Sequence, residues 1–176
     1  VQLIDRSELW SEWLLSGPQL ESCLAGAGVA ELPTALFSHR AATVGGVACL
    51  LRRVTILSQP TWLASCLRTE HERLGEVLVA AGLVAGVSIE AERESLEMAR
   101  IEAGFPWYGR DISDKTLPQE VQRDAATFSL QDGRCLGQAT IARLDSMGHV
   151  TRVLAMLVCD VSEPPAPHEP LTVHAK

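Results

Sequence analysis

The sequence predicts an α+β protein. Three observations lead there: a Gly-Gly turn between two apolar runs, two well-punctuated helical stretches mid-chain, and strands that mix with helices without strict β-α-β alternation. Trp10 to Leu15 is a short apolar run halted by Gly17-Pro18, a strand and a turn, and Gln19 to Ala25 then has helical character. Val44-Gly45-Gly46-Val47 lies between aliphatic runs in Ala41 to Leu57. A glycine pair supplies positive φ at both central turn positions, which predicts a hairpin. Pro60 interrupts, and Trp62 to Leu67 reads as a further strand.

Thr69 and Glu72 have capping-box spacing, so a helix is expected from Thr69, its hydroxyl and carboxylate each reaching an orphan backbone N–H. Leu74, Val77, Leu78 and Ala81 repeat at helical spacing, and Gly82 stands where a helix-ending glycine belongs. A second helix is expected from about Ser88 to Ala103, ended by Gly104 and Pro106. Its Glu90, Glu92, Glu94 and Glu97, mixed with Arg93 and Arg100, read as a solvated face with pairs such as Arg93–Glu97. Phe105 to Arg123 is loop-rich, a strand is expected to Leu130, and Ala139 to Leu144 reads as a short helix. Val150 to Val161 is apolar on both alternating sets apart from Thr151, Arg152 and Asp160, which predicts a mostly buried strand. The prolines of Ser162 to Pro170 mark a linker.

The net charge of -7, from 22 acidic against 15 basic residues, argues against a general nucleic-acid binder, which must neutralise phosphates. Cys23, Cys49, Cys66, Cys135 and Cys159 are dispersed and odd in number, a pattern of reduced thiols. Val1 to Arg6 has no apolar signal segment, and the longest uncharged apolar run, Val77 to Ile89, is short of the ~20 residues a membrane span needs. The expectation is a cytoplasmic protein without a membrane partner. P-loop, G-x-G-x-x-G, G-x-S-x-G and H-E-x-x-H motifs are absent. His168 and His174 lie in the proline-rich tail and read as solvated, so no metal is expected; structural zinc sites use four closely spaced N/S ligands.

What stands out is Arg100-Ile101-Glu102-Ala103-Gly104, then Tyr108-Gly109-x-Asp111, then Leu117-Pro118-Gln119-Glu120. This resembles the aminomethyltransferase (glycine-cleavage T-protein) family and its YgfZ-type folate-binding relatives. In that family a helix closes with R-[IL]-E-A-G, enters a loop containing glycine and aspartate, and meets a T-x-P-x-E element. Asp5-Arg6-Ser7, Gly17-Pro18 before a helix, the hairpin and Ala81-Gly82 follow the same order, so the resemblance covers roughly Val1 to Asp160. It implies a T-protein-like folate-binding domain of mixed and antiparallel sheets over 1–149. Residues 150–176 would then be the leading strand and linker of a C-terminal β-barrel, in a protein longer than this sequence at both ends.

The resemblance also implies a role for Glu102. A pterin edge presents a ring N–H and an exocyclic amino group side by side, and an acceptor-only carboxylate takes both at once. The family's motif glutamate does this for tetrahydrofolate, and Glu102 occupies its place. The competing reading is a helix-end glutamate paired with Arg100 or Arg123.

A second signature is altered. The iron–sulfur-linked branch carries K-G-C-Y-x-G-Q-E, and here stands Asp132-Gly133-Arg134-Cys135-Leu136-Gly137-Gln138-Ala139. The glycines and Gln138 match, Arg134 fills the cysteine slot, and Cys135 fills the tyrosine slot. Beside Arg134 the Cys135 thiolate is favoured, yet free cysteines are mostly buried and inert, and a packing role is expected. Arg134 is expected to attract the folate's glutamate carboxylates. Ile141-Ala142-Arg143-Leu144 with Gly148 fits the YgfZ-type branch, whereas the T-protein has an arginine in place of Gln138. The resemblance therefore implies a tetrahydrofolate-binding protein that assists iron–sulfur cluster assembly or repair, with folate and iron–sulfur proteins as partners. Its cofactor-binding candidates are Glu102, Arg134 and Gln138. Aminomethyl transfer in the glycine cleavage system, or a degenerate binding paralogue, is the alternative.

Overall fold

The computed structural model describes residues 2–82, 89–123, 137–160, 165–166 and 169–171. They form a mixed α+β structure in two compact units, Val1–Thr116 and Leu117–Lys176.

The first unit is built on an antiparallel sheet. β1 (Trp10–Ser16), β2 (His39–Val44), β3 (Val47–Val54) and β4 (Thr61–Leu67) lie in the order β1-β4-β3-β2. The expected hairpin is β2–β3: Val44 opposes Val47, and Gly45 and Gly46 turn the chain at φ +53 and +86. The turn is also docked, since the Gly45 N–H donates to the Ala27 carbonyl at 2.8 Å and a Cβ there would collide with Val77. Alternation sends Leu15, Val47, Cys49, Leu51, Trp62, Ala64 and Cys66 to one face, into a core shared with two helices, α1 (Leu20–Gly26) and α2 (His71–Ala80). Leu24, Leu74 and Leu78 are fully buried there, each worth roughly 1.5–3 kcal/mol of transfer free energy. Trp62 donates its Nε1–H to the Pro33 carbonyl at 3.0 Å while the Arg53 guanidinium lies over its ring.

Helix α2 departs from expectation at its start. No side-chain hydrogen bond caps it, so the Thr69–Glu72 box does not form. The chain leaves β4 through a 3-10 turn, Arg68–Glu70, in which Arg68 donates to the Ser7 and Glu8 carbonyls, and the α-helix begins at His71. His71 then stacks on Trp13 of β1, ring centroids 4.6 Å apart, and its Nδ1 lies 2.6 Å from the Ser11 hydroxyl. The helix ends as expected: Gly82, at φ +75, donates its N–H to the Val79 carbonyl. Helix α3 (Ile89–Glu102) follows.

In the second unit a 3-10 turn, Pro118–Val121, precedes α4 (Gln138–Met147), which extends the expected Ala139–Leu144 helix in both directions. The expectation of a mostly buried strand over Val150 to Val161 is corrected. Residues 150–160 form no strand, and Val153, Met156, Leu157 and Val158 are exposed. An apolar run encodes a demand for cover but not its supplier, and no described strand pairs with this one. Val161 and the strand expected up to Leu130 lie outside the described residues.

Candidate functional site

The R-I-E-A-G stretch is the last turn of α3. Gly104, at φ +63, reverses the chain: its N–H donates to the Ile101 carbonyl at 2.9 Å and the Phe105 N–H to the Arg100 carbonyl at 2.8 Å. This double bond to the last turn is the Schellman arrangement, which favours glycine at the left-handed position. It throws residues 105–112 back along the helix, against the Arg100 side chain.

Arg100 is the organising group of this loop. Its side chain is only 3% exposed, and the guanidinium donates to both Glu97 oxygens, to the Phe105 carbonyl at 3.1 Å and to Asp111 Oδ2 at 2.6 Å. Asp111 Oδ2 also accepts the Trp107 N–H at 2.7 Å, and the Trp107 ring lies 5.5 Å from the guanidinium carbon. Glu97 takes a second cation, Arg110, at 2.6 Å. The hydrogen bond from Arg100, with that from Arg110, outweighs desolvation and holds the Glu97 carboxyl at about 2. The pair expected between Arg93 and Glu97 is replaced by these two, because Arg100 and the returning loop reach the same carboxylate.

Glu102 is placed differently. Two residues beyond Arg100, it points from another side of the helix, is exposed, and has no hydrogen-bond or ion-pair partner among the described residues. Arg100 is fully engaged elsewhere, so the Arg100–Glu102 pair weighed from the sequence does not form. Gln138 is the first residue of α4, after Gly137 at φ +81, and is partly buried in the second unit. Arg134 and Cys135 lie outside the described residues. Cys49 and Cys66 are buried free thiols, and burial pushes Cys49 up to about 11, which disfavours its thiolate.

In the second unit Glu120 caps its own turn. Its carboxylate accepts the Leu117 N–H at 3.0 Å and Arg152 Nε–H at 2.8 Å, while its N–H donates to the Leu117 carbonyl at 3.0 Å. The Arg152 hydrogen bond, then that of Leu117, lowers its pKa. Two open clefts of about 510 and 490 Å³ flank α4. Leu117, Thr140, Arg143 and Met147 line the first, and Gln119, Gln122, Asp145 and His149 the second. Neither includes Glu102 or Gln138. Arg100, Asp111 and Glu120 are motif residues whose hydrogen-bonding roles their spacing does not reveal, and Arg152, an exception in an apolar run, carries no sequence signal of its bond to Glu120.

No protein-family model matches the chain, and no curated protein matches it. Among the described residues no helix is long and apolar enough to cross a membrane, and no group of three or more His, Cys, Asp or Glu is placed to hold a metal ion.

Proposed function

We propose that this chain is a folate-binding protein of the YgfZ type, on a T-protein-like fold, which assists iron–sulfur cluster assembly or repair. The observation that carries the reading is the division of labour at the end of α3. Arg100 is consumed by the loop that contains Asp111, while Glu102 presents an accessible carboxylate with no described partner. A carboxylate in that state is available to take the paired donors of a pterin edge. The surrounding loop is held by the bonds of Arg100 to the Phe105 carbonyl and Asp111 and of the Trp107 N–H to Asp111, which limits the ordering cost of binding. Gln138, in place of the arginine of the aminomethyltransferases, favours the iron–sulfur-linked branch over the transferase.

Isothermal titration of the protein with tetrahydrofolate tests this. Glu102→Ala is expected to weaken binding by about 1.5–3 kcal/mol, the worth of hydrogen bonds to a charged group. Equal affinities for the two proteins would reject the role of Glu102, and absence of binding to the parent would reject the folate reading.

A further inference from the structure

Cys49 and Cys66 stand on the two central strands of the sheet, and both are buried in its core as free thiols. The β3–β4 register runs from Val54↔Thr61 to Leu50↔Ser65, so the next residues in step are Cys49 and Cys66. Two hydrogen bonds fix how their backbones face. The Arg53 N–H donates to the Ser38 carbonyl at 3.0 Å, toward β2, and the Arg68 N–H to the Leu9 carbonyl at 2.9 Å, toward β1. Backbone groups alternate along a strand, so those of Cys49 turn to Ala42 of β2 and those of Cys66 to Ser11 of β1. Toward each other the two cysteines are therefore a non-hydrogen-bonded pair, the close kind, with Cα atoms about 4.5 Å apart. A disulfide spans Cα separations of roughly 4.4–6.8 Å. A second sign that the sulfurs are near is that Cys66, after burial, helps to raise the pKa of the Cys49 thiol.

We propose that Cys49 and Cys66 are an oxidisable pair, which hydrogen peroxide closes into a cross-strand disulfide that locks β3 to β4 one step beyond Leu50↔Ser65. Cys49, 6% exposed against 0% for Cys66, meets the oxidant first. Its thiolate attacks one peroxide oxygen, giving a sulfenic acid and hydroxide, which takes a proton to leave as water. The Cys66 thiolate then attacks the Cys49 sulfur and displaces its hydroxide, which leaves as the second water. Two thiols and one peroxide become one disulfide and two waters; the two sulfurs are oxidised and the two peroxide oxygens reduced. The core favours this product, because a disulfide is neutral whereas a pair of thiolates would bury two charges. What closure gives up is small, a weak bond from the Cys49 thiol to the Val47 carbonyl at 3.4 Å. Burial raises the pKa of both thiols, so neither ionises readily and closure is slow without an oxidant. The tie stands just before the Arg68–Glu70 turn, so oxidation also secures the entry to α2.

Peroxide treatment of the full native chain, then alkylation of the remaining thiols and tryptic mapping without reductant, reads the pair directly. The expected product joins fragment Ala41–Arg52 to fragment Val54–Arg68, lighter by two hydrogens than the two together. It should exceed any cross-link to Cys23, Cys135 or Cys159 by at least roughly fivefold, because the sheet holds Cys49 and Cys66 at disulfide spacing. The oxidised protein should melt about 5 °C or more above the reduced one, as closing the loop between the two cysteines implies. Dithiothreitol should reverse that shift, and Cys66→Ala should abolish it. Cross-links spread evenly over the cysteines, a Cys49–Cys66 link that forms only in urea, both cysteines recovered unlinked, or a link that leaves the melting temperature unchanged would overturn the proposal.

Discussion

Arg100 and Glu120 are the charged residues that the described part of the chain buries, and it buries them in opposite ways. At Arg100 the cation is inside, 3% exposed, and its anions Glu97 and Asp111 sit at the boundary, 27 and 30% exposed. At Glu120 the anion is inside, 8% exposed, and its cation Arg152 lies in solvent at 69%. The geometry of the groups explains the choice. A guanidinium with five donors can satisfy two carboxylates and a carbonyl at once, so it suits the centre of a loop. A carboxylate needs only two donors to cap a single turn. Both residues belong to the motif stretch, and in both the charge is consumed by nearby backbone and side chains. Glu102 is the motif charge that is not.

Removing the buried cation has the largest expected effect. Arg100→Met leaves Glu97 and Asp111 facing each other without the guanidinium. Breaking a fully buried pair costs about 3–5 kcal/mol, but water reaches both carboxylates here, so about 2 kcal/mol is expected from urea unfolding. An unchanged unfolding free energy would mean that the loop holds itself.

Acid probes the same network from the anion side. Glu97 has its folded pKa depressed from 4.5 to about 2, so its contribution is fully present above pH 4.5 and is lost as pH falls through about 2. Fluorescence of Trp107, in a variant with the other tryptophans replaced by phenylalanine, should change across that window. It should not do so when Glu97→Gln is added. Persistence of the transition in the Gln variant would assign it to another carboxyl.

A smaller, local effect is expected at Glu120. Glu120→Gln weakens the bond from Arg152 and the cap on Leu117, so hydrogen exchange at the Leu117 amide should quicken severalfold. Exchange in β3 and β4, which belong to the other compact unit, should be unchanged. Faster exchange throughout would show that the two units are one cooperative body.

The parts of this fold that were legible in the sequence are those set by local backbone need. Gly45-Gly46 demands positive φ and forms the turn, and Gly82 and Gly104 end their helices for the same reason. Leu74 and Leu78 fall on the buried face of α2 as their spacing implies. What could not be read was competition between partners. Thr69 and Glu72 have the right spacing for a cap, but the chain enters through the Arg68 turn. Arg93 and Glu97 have the right spacing for a pair, but Arg100 and Arg110 take Glu97. At the candidate site the separation of Arg100 from Glu102 emerged only from Asp111, eleven residues beyond Arg100.

That separation is the central claim, and the smallest stability effect tests it best. Tetrahydrofolate titration and urea unfolding on Arg100→Met and Glu102→Ala together separate scaffold from site. Glu102→Ala should unfold within about 0.5 kcal/mol of the parent, as an exposed residue should, while losing tetrahydrofolate affinity. Arg100→Met should lose stability first. A Glu102→Ala protein that is clearly destabilised and still binds like the parent would contradict the account, because Glu102 would then be part of the scaffold and not of the site.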